Sequence, residues 1–88
     1  MTKLKDAIDR ISILECPTGE LEKNIVNILE DYKVASKREI IISRHKKADR
    51  GDIKAYKIEF MNNKAQSFLI FTEVGMDGYV VKVLEVVY

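Results

Sequence analysis

The hydrophobic period of this chain changes once, and that change limits its fold more than any other feature. Up to Tyr32 the apolar residues recur every three or four positions, and after Ser36 they alternate with polar ones. A helical period and a two-residue period cannot exchange roles, because each directs its apolar side chains to one face only in its own backbone geometry. The chain therefore reads as α+β, with helices first and an antiparallel sheet after them.

Leu4, Ala7, Ile8, Ile11 and Leu14 form one stripe and predict a helix over 2–15. Thr2 is its expected N-cap, and Pro17 ends it by forcing the preceding residue out of the helical region. Leu21, Ile25, Ile28, Leu29 and Tyr32 form a second stripe, predicting a helix over 18–34 with Thr18 as cap. Glu20 and Glu22 near its start and Lys33 near its end match the helix dipole. The short linker Glu15-Cys16-Pro17 brings the helices side by side or crossed.

Strands are expected over 38–45, 53–61, 67–75 and 79–87, with 46–52 as an exposed loop. Asn62-Asn63 reads as a tight turn, and Asp77-Gly78 as a two-residue type I′ hairpin. The expected fold is one α+β domain over 1–88: two N-terminal helices packed on one face of a four-stranded antiparallel β-meander. In element order alone this resembles cystatin-like domains and, less closely, small ribonuclease toxins. The chain has no motif of either family, and the toxins begin with a strand, so no residue roles are carried over.

The two turns set a register. Asp77-Gly78 opposes Glu73 to Lys82, Phe71 to Leu84 and Leu69 to Val86, and Asn62-Asn63 opposes Tyr56 to Leu69. One face then carries Tyr56, Ile58, Phe60, Leu69, Phe71, Leu84 and Val86 and is expected under the helices. The other face carries Phe68, Ile70, Val74, Val81, Val83 and Val87 among Lys57, Glu59, Thr72 and Glu85. A solvated face is mostly polar, so either helix 1 or curling of the sheet covers part of this one, or it is a protein interface, in a homodimer or with another protein.

Cys16 and His45 are the only residues of their types. A lone thiol forms no internal disulfide and suits a reducing compartment, and a zinc site needs more nitrogen and sulfur ligands than this chain has. Asp6 and Asp9 follow the early lysines at once and no unbroken apolar h-region comes after them, which argues against a signal peptide, and no apolar run nears the ~18 residues of a membrane span. The expectations are a cytoplasmic protein with no membrane partner, no cofactor and no metal. Cys16 reads as an apolar filler at a helix junction rather than an activated thiol.

The net charge is +1, yet residues 37–50 hold six basic side chains against two acidic ones, a local +4. Lys37, Arg38, Arg44, His45, Lys46, Lys47 and Arg50 are therefore the candidate site for nucleic acid or an acidic partner. No aromatic residue lies within 37–54 to stack a base. His45 among cations also suggests a metal-independent ribonuclease, but no second histidine completes an acid–base pair. The leading expectation is a small non-enzymatic interaction module of the adaptor or inhibitor type that phages and mobile elements encode, dimeric through the second sheet face. Nucleic-acid binding through the 44–50 rim is the alternative, and a His45 ribonuclease the third reading.

Overall fold

A computed structural model describes residues 3–88; the Thr2 cap lies outside the described residues. Helix α1 spans Lys3–Ile11, strand β1 Glu15–Pro17, helix α2 Leu21–Asp31, and strands β2 Ile40–Arg44, β3 Lys54–Phe60, β4 Phe68–Val74 and β5 Val80–Val87. The fold is α+β with a five-stranded antiparallel sheet in the order β1-β5-β4-β3-β2. The expected meander is present as β2 to β5, and β1 is the strand that was not expected.

Helix α1 stops at Ile11, short of the predicted end. The Ile13 and Leu14 amides fall back on the Arg10 and Ile11 carbonyls, and the Leu14 carbonyl accepts the Val83 N–H at 2.9 Å. The segment read as a linker then pairs with β5, Glu15 opposite Lys82 and Cys16 opposite Val81. Pro17 suits this position because an edge strand has no use for the N–H that proline lacks. Thr18 does not cap α2: its hydroxyl donates to the Gly78 carbonyl at 2.8 Å and its N–H to the Tyr79 carbonyl, tying the helix entry to the last hairpin.

Helix α2 links the sheet's two edges, from β1 to β2. Its 11 residues give about 16 Å at 1.5 Å per residue, and four interstrand spacings of about 4.8 Å come to roughly 19 Å. It ends in a Schellman arrangement, with the Lys33 N–H on the Glu30 carbonyl and the Val34 N–H on the Leu29 carbonyl, both at 2.9 Å. Lys33 occupies the left-handed position at φ 59°, where glycine is usual.

The two helices and the sheet share one buried cluster. Ala7, Ile8, Ile11, Leu21, Ile25, Ile28 and Leu29 meet Cys16, Ile58, Phe60, Phe68, Ile70, Val81 and Val83, with Leu14 at the α1–β1 junction. On β4, and on β5 up to Leu84, this reverses the expected faces, while Tyr56, Ile58, Phe60 and Val86 lie on the helix side as expected. Phe68, Ile70, Val81 and Val83 lie in the core, Val74 packs against it, and only Val87 stands exposed on the opposite side.

The register explains why. Residues 61–67, with a 3₁₀ turn at Lys64–Gln66, replace the expected two-residue turn at Asn62-Asn63, so Tyr56 faces Ile70 rather than Leu69. A slip of one residue moves every side chain of a strand to the other face. The last hairpin holds the expected Glu73–Lys82 and Val74–Val81 pairs, but its turn is not type I′. The Gly75 carbonyl accepts the Gly78 N–H at 2.9 Å, Asp77 Oδ1 accepts the Tyr79 N–H at 3.0 Å, and the positive φ falls on Gly78 at 79°. Farther along, Thr72 faces Val83 while Phe71 faces Glu85. Leu84 is therefore the extra residue of a β-bulge, and Phe71–Leu84 and Leu69–Val86 are not pairs.

Candidate functional site

Residues 46–52, read as a plain loop, fold back onto the sheet. Arg44 at the end of β2 makes a two-pronged contact with Asp49, Nη1 to Oδ1 at 3.2 Å and Nη2 to Oδ2 at 2.7 Å. Asp49 Oδ1 also accepts the N–H of buried Ala55 at 2.8 Å, and Arg44 Nη1 donates to the Ala55 carbonyl at 3.1 Å. Such paired, charge-assisted bonds are the strong ones. Arg44 and then the Ala55 N–H hold the Asp49 carboxyl below the usual carboxylate range. The Arg44 guanidinium also lies 5.2 Å from the Tyr56 ring centroid.

Arg50 goes to the other face of the sheet, 4.8 Å from the centroid of the Phe71 ring. Alternation along β3 and β4 puts Ala55 and Phe71 on the face away from the helices, yet both are buried. The face beyond them is mixed rather than greasy: Lys57 lies 3.9 Å from Glu59, and Lys82 sits between Glu73 on β4 and Glu15 on β1.

The seven basic candidates are therefore divided. Arg44 is engaged by Asp49 and Arg50 by Phe71, and His45 is half-buried at the end of β2 with its N–H on the Ala55 carbonyl. Lys46 and Lys47 are exposed on the 3₁₀ turn past one end of β2, and Lys37 and Arg38 on the turn before the other end. Glu39 is committed locally: its carboxylate accepts the Ser36 N–H at 3.1 Å and hydroxyl at 2.8 Å, and the Asn62 amide. The Ser36 N–H and then its hydroxyl hold the Glu39 carboxyl low. Cys16 is buried, and burial, with the Glu20 charge adding and the Asn24 hydrogen bond opposing, pushes its thiol up, which lowers its thiolate fraction. Among the described residues no three His, Cys, Asp or Glu side chains gather as a metal would need.

A feature absent from the sequence reading lies between these two basic ends. Among the described residues, strand β2 is an outer strand with β3 on one side only. The Met61 N–H bonds to the Glu39 carbonyl and the His45 N–H to the Ala55 carbonyl. Antiparallel alternation then points Ile41 and Ser43 at β3, and turns the N–H and C=O groups of Ile42 and Arg44 outward. The Ile40 N–H is used by the Lys37 carbonyl, so its carbonyl alone joins that open row. Beside the row runs a groove of about 410 Å³ between α2 and β2, lined by Glu22, Lys23, Val26, Asn27, Glu30, Lys37, Ile40 and Ile42. Val26, Ile40 and Ile42 are half-buried and form its apolar part. The sequence held one sign of this groove: Val26 is an apolar residue beside, not within, the stripe that buries α2.

No protein-family model matches the chain, and no curated protein or solved structure shows significant similarity to it.

Proposed function

We propose that this protein is a small interaction module that takes an extended segment of a partner as an added strand on the free edge of β2. The observation that carries this reading is the pairing of an open backbone row at Ile42 and Arg44 with an apolar groove at Val26, Ile40 and Ile42. Strand addition uses these two parts together: main-chain hydrogen bonds supply affinity, and alternate side chains entering a groove supply selectivity. Natural sheets blunt such edges with proline, inward-pointing charge or a bulge. The Ile40-Ile41-Ile42 run of β2 has no proline and a regular ladder to β3. The interaction reading from sequence is thereby kept, and its surface moves from the face now filled by the helices to this edge.

The test is an NMR titration of the full chain with a blocked peptide of alternating Thr and Val. Resonances of Ile42, Arg44 and Val26 should shift together, and the Ile42 and Arg44 amides should gain protection from hydrogen exchange. Val26→Lys, which puts a charge in the groove at a half-buried site, should abolish the shifts with the fold intact. Shifts confined to another edge, or unaffected by Val26→Lys, would refute the assignment.

A further inference from the structure

Building on that reading, we infer that the occupant of the β2 edge is an acidic-ended strand of another protein and not a second copy of this chain. Charge separates the two occupants. Residues 37–50 carry +4 in a chain whose total is +1, and β2 lies in the middle of that segment. Lys37 and Arg38 stand before one end of the strand, Lys46 and Lys47 past the other, and all four are exposed. Three acidic groups in or beside this segment are occupied: Glu39 by Ser36 and Asn62, Asp49 by Arg44 and Ala55, and Glu30 Oε2 by the Lys37 N–H at 3.0 Å.

A closed dimer through this edge is antiparallel by symmetry. The register that pairs the whole of β2 centres on Ile42 and sets Ile40 of one copy against Arg44 of the other. It also brings Lys37 and Arg38 of each copy to the end where Lys46 and Lys47 of its mate lie. Like charges meet at both ends, and like charges directly opposite are destabilising. A foreign strand with carboxylates at its two ends turns each repulsion into an ion pair.

The groove defines the middle of that strand. Its charges balance, Glu22 and Glu30 against Lys23 and Lys37, while Val26, Ile40 and Ile42 accept apolar side chains. Side chains entering the groove come from alternate residues. The recognised pattern is thus two apolar residues separated by one position, with acidic residues outside them, over a strand of about 17 Å. Nucleic acid is disfavoured because Tyr56 and Phe71, the rings beside Arg44 and Arg50, are covered by those guanidinium groups and provide no stacking platform.

The experiment uses the full chain and two fluorescent peptides with the same Val-Thr-Val core, one flanked by paired Asp and the other by paired Lys. The Asp-flanked peptide should bind about tenfold more tightly at low salt, as four exposed ion pairs of ordinary strength provide, and the gap should close as salt rises. The double variant Lys46→Glu with Lys47→Glu, both at exposed positions, should reduce or reverse the preference. Equal binding of both peptides, with shifts at Ile42 and Arg44, overturns the acidic inference and leaves the edge reading standing. A concentration-dependent dimer whose contacts map to Ile42 and Arg44 makes a second copy the occupant and also overturns it. A single-stranded RNA oligonucleotide that binds where the Asp-flanked peptide does not overturns it in favour of nucleic acid. Absence of binding by either peptide and of any dimer overturns both readings.

Discussion

Lys33 is a side chain in a backbone conformation that suits glycine. Its φ is 59°, and its N–H and that of Val34 close the end of α2 on the Glu30 and Leu29 carbonyls. For a residue with a Cβ, the left-handed region costs about 1–2 kcal/mol. Lys33→Gly removes that cost, but glycine also loosens the unfolded chain, which takes back about 0.4–1 kcal/mol. The charge of Lys33 at the helix end is lost as well, so the proper reference is Lys33→Ala, which loses the same charge and keeps the Cβ. The glycine variant should then exceed the alanine variant by about 0.5–1 kcal/mol. At about 2.1 cal/mol/K per residue, the 88 residues have an unfolding entropy near 0.18 kcal/mol/K. The expected difference in Tm is thus about 3–5 °C, readable by circular dichroism or calorimetry. Equal melting of the two variants, or a less stable glycine variant, would show that the Lys33 backbone is not held in this conformation.

The cross-strand pair Glu73–Lys82 can be tested by charge reversal, with Glu15 on the other side of Lys82. Both Glu73→Lys and Lys82→Glu should destabilise, each altered pair by about 0.2–1 kcal/mol, in urea unfolding. Lys82→Glu should cost more because it faces two carboxylates, and the double reversal should recover only part; equal costs would remove Glu15 from the row. On acidification, Asp49 and Glu39 act together, since both carboxyls are held low in the fold. A depressed carboxyl stabilises above its unfolded pKa, and that contribution disappears as the pH falls through its folded value. Stability should therefore decline below about pH 4. Asp49→Asn keeps an oxygen for the Ala55 N–H and should flatten that decline; an unchanged acid limb in the variant counts against the Arg44–Asp49 contact.

Local patterns carried much of the fold. The stripe Ala7, Ile8, Ile11 and the stripe Leu21, Ile25, Ile28, Leu29 are the buried faces of α1 and α2. Asp77-Gly78 located the hairpin well enough to pair Glu73 with Lys82, because register close to a turn follows from the turn alone. Three residues at β1 are too few to show a period, and their pairing with β5 joins positions distant in sequence. The 61–67 loop and the bulge at Leu84 each shift the register by one residue, and a one-residue error exchanges core and surface over a whole strand. The basic segment was visible as charge, but its division was not: a sequence does not tell that Arg44 turns to Asp49 and Arg50 to Phe71. An open edge is harder still to read, since it is defined by the strand that does not lie beside β2.

Strand β5 reads Val-Val-Lys-Val-Leu-Glu-Val-Val, with its two charges three positions apart. In a strict two-letter frame one of them would enter the core. Leu84 acts as a single inserted letter that shifts the frame between them, so Lys82 and Glu85 both leave on the polar side while Val81, Val83 and Val86 stay beneath the helices. Deleting that one letter would leave the remaining seven in perfect alternation, with no residue changing sides. The strand can thus lose Leu84 without losing its meaning, and losing Val83 instead moves Leu84 into the core place in the same frame, with Lys82 and Glu85 still on the polar side.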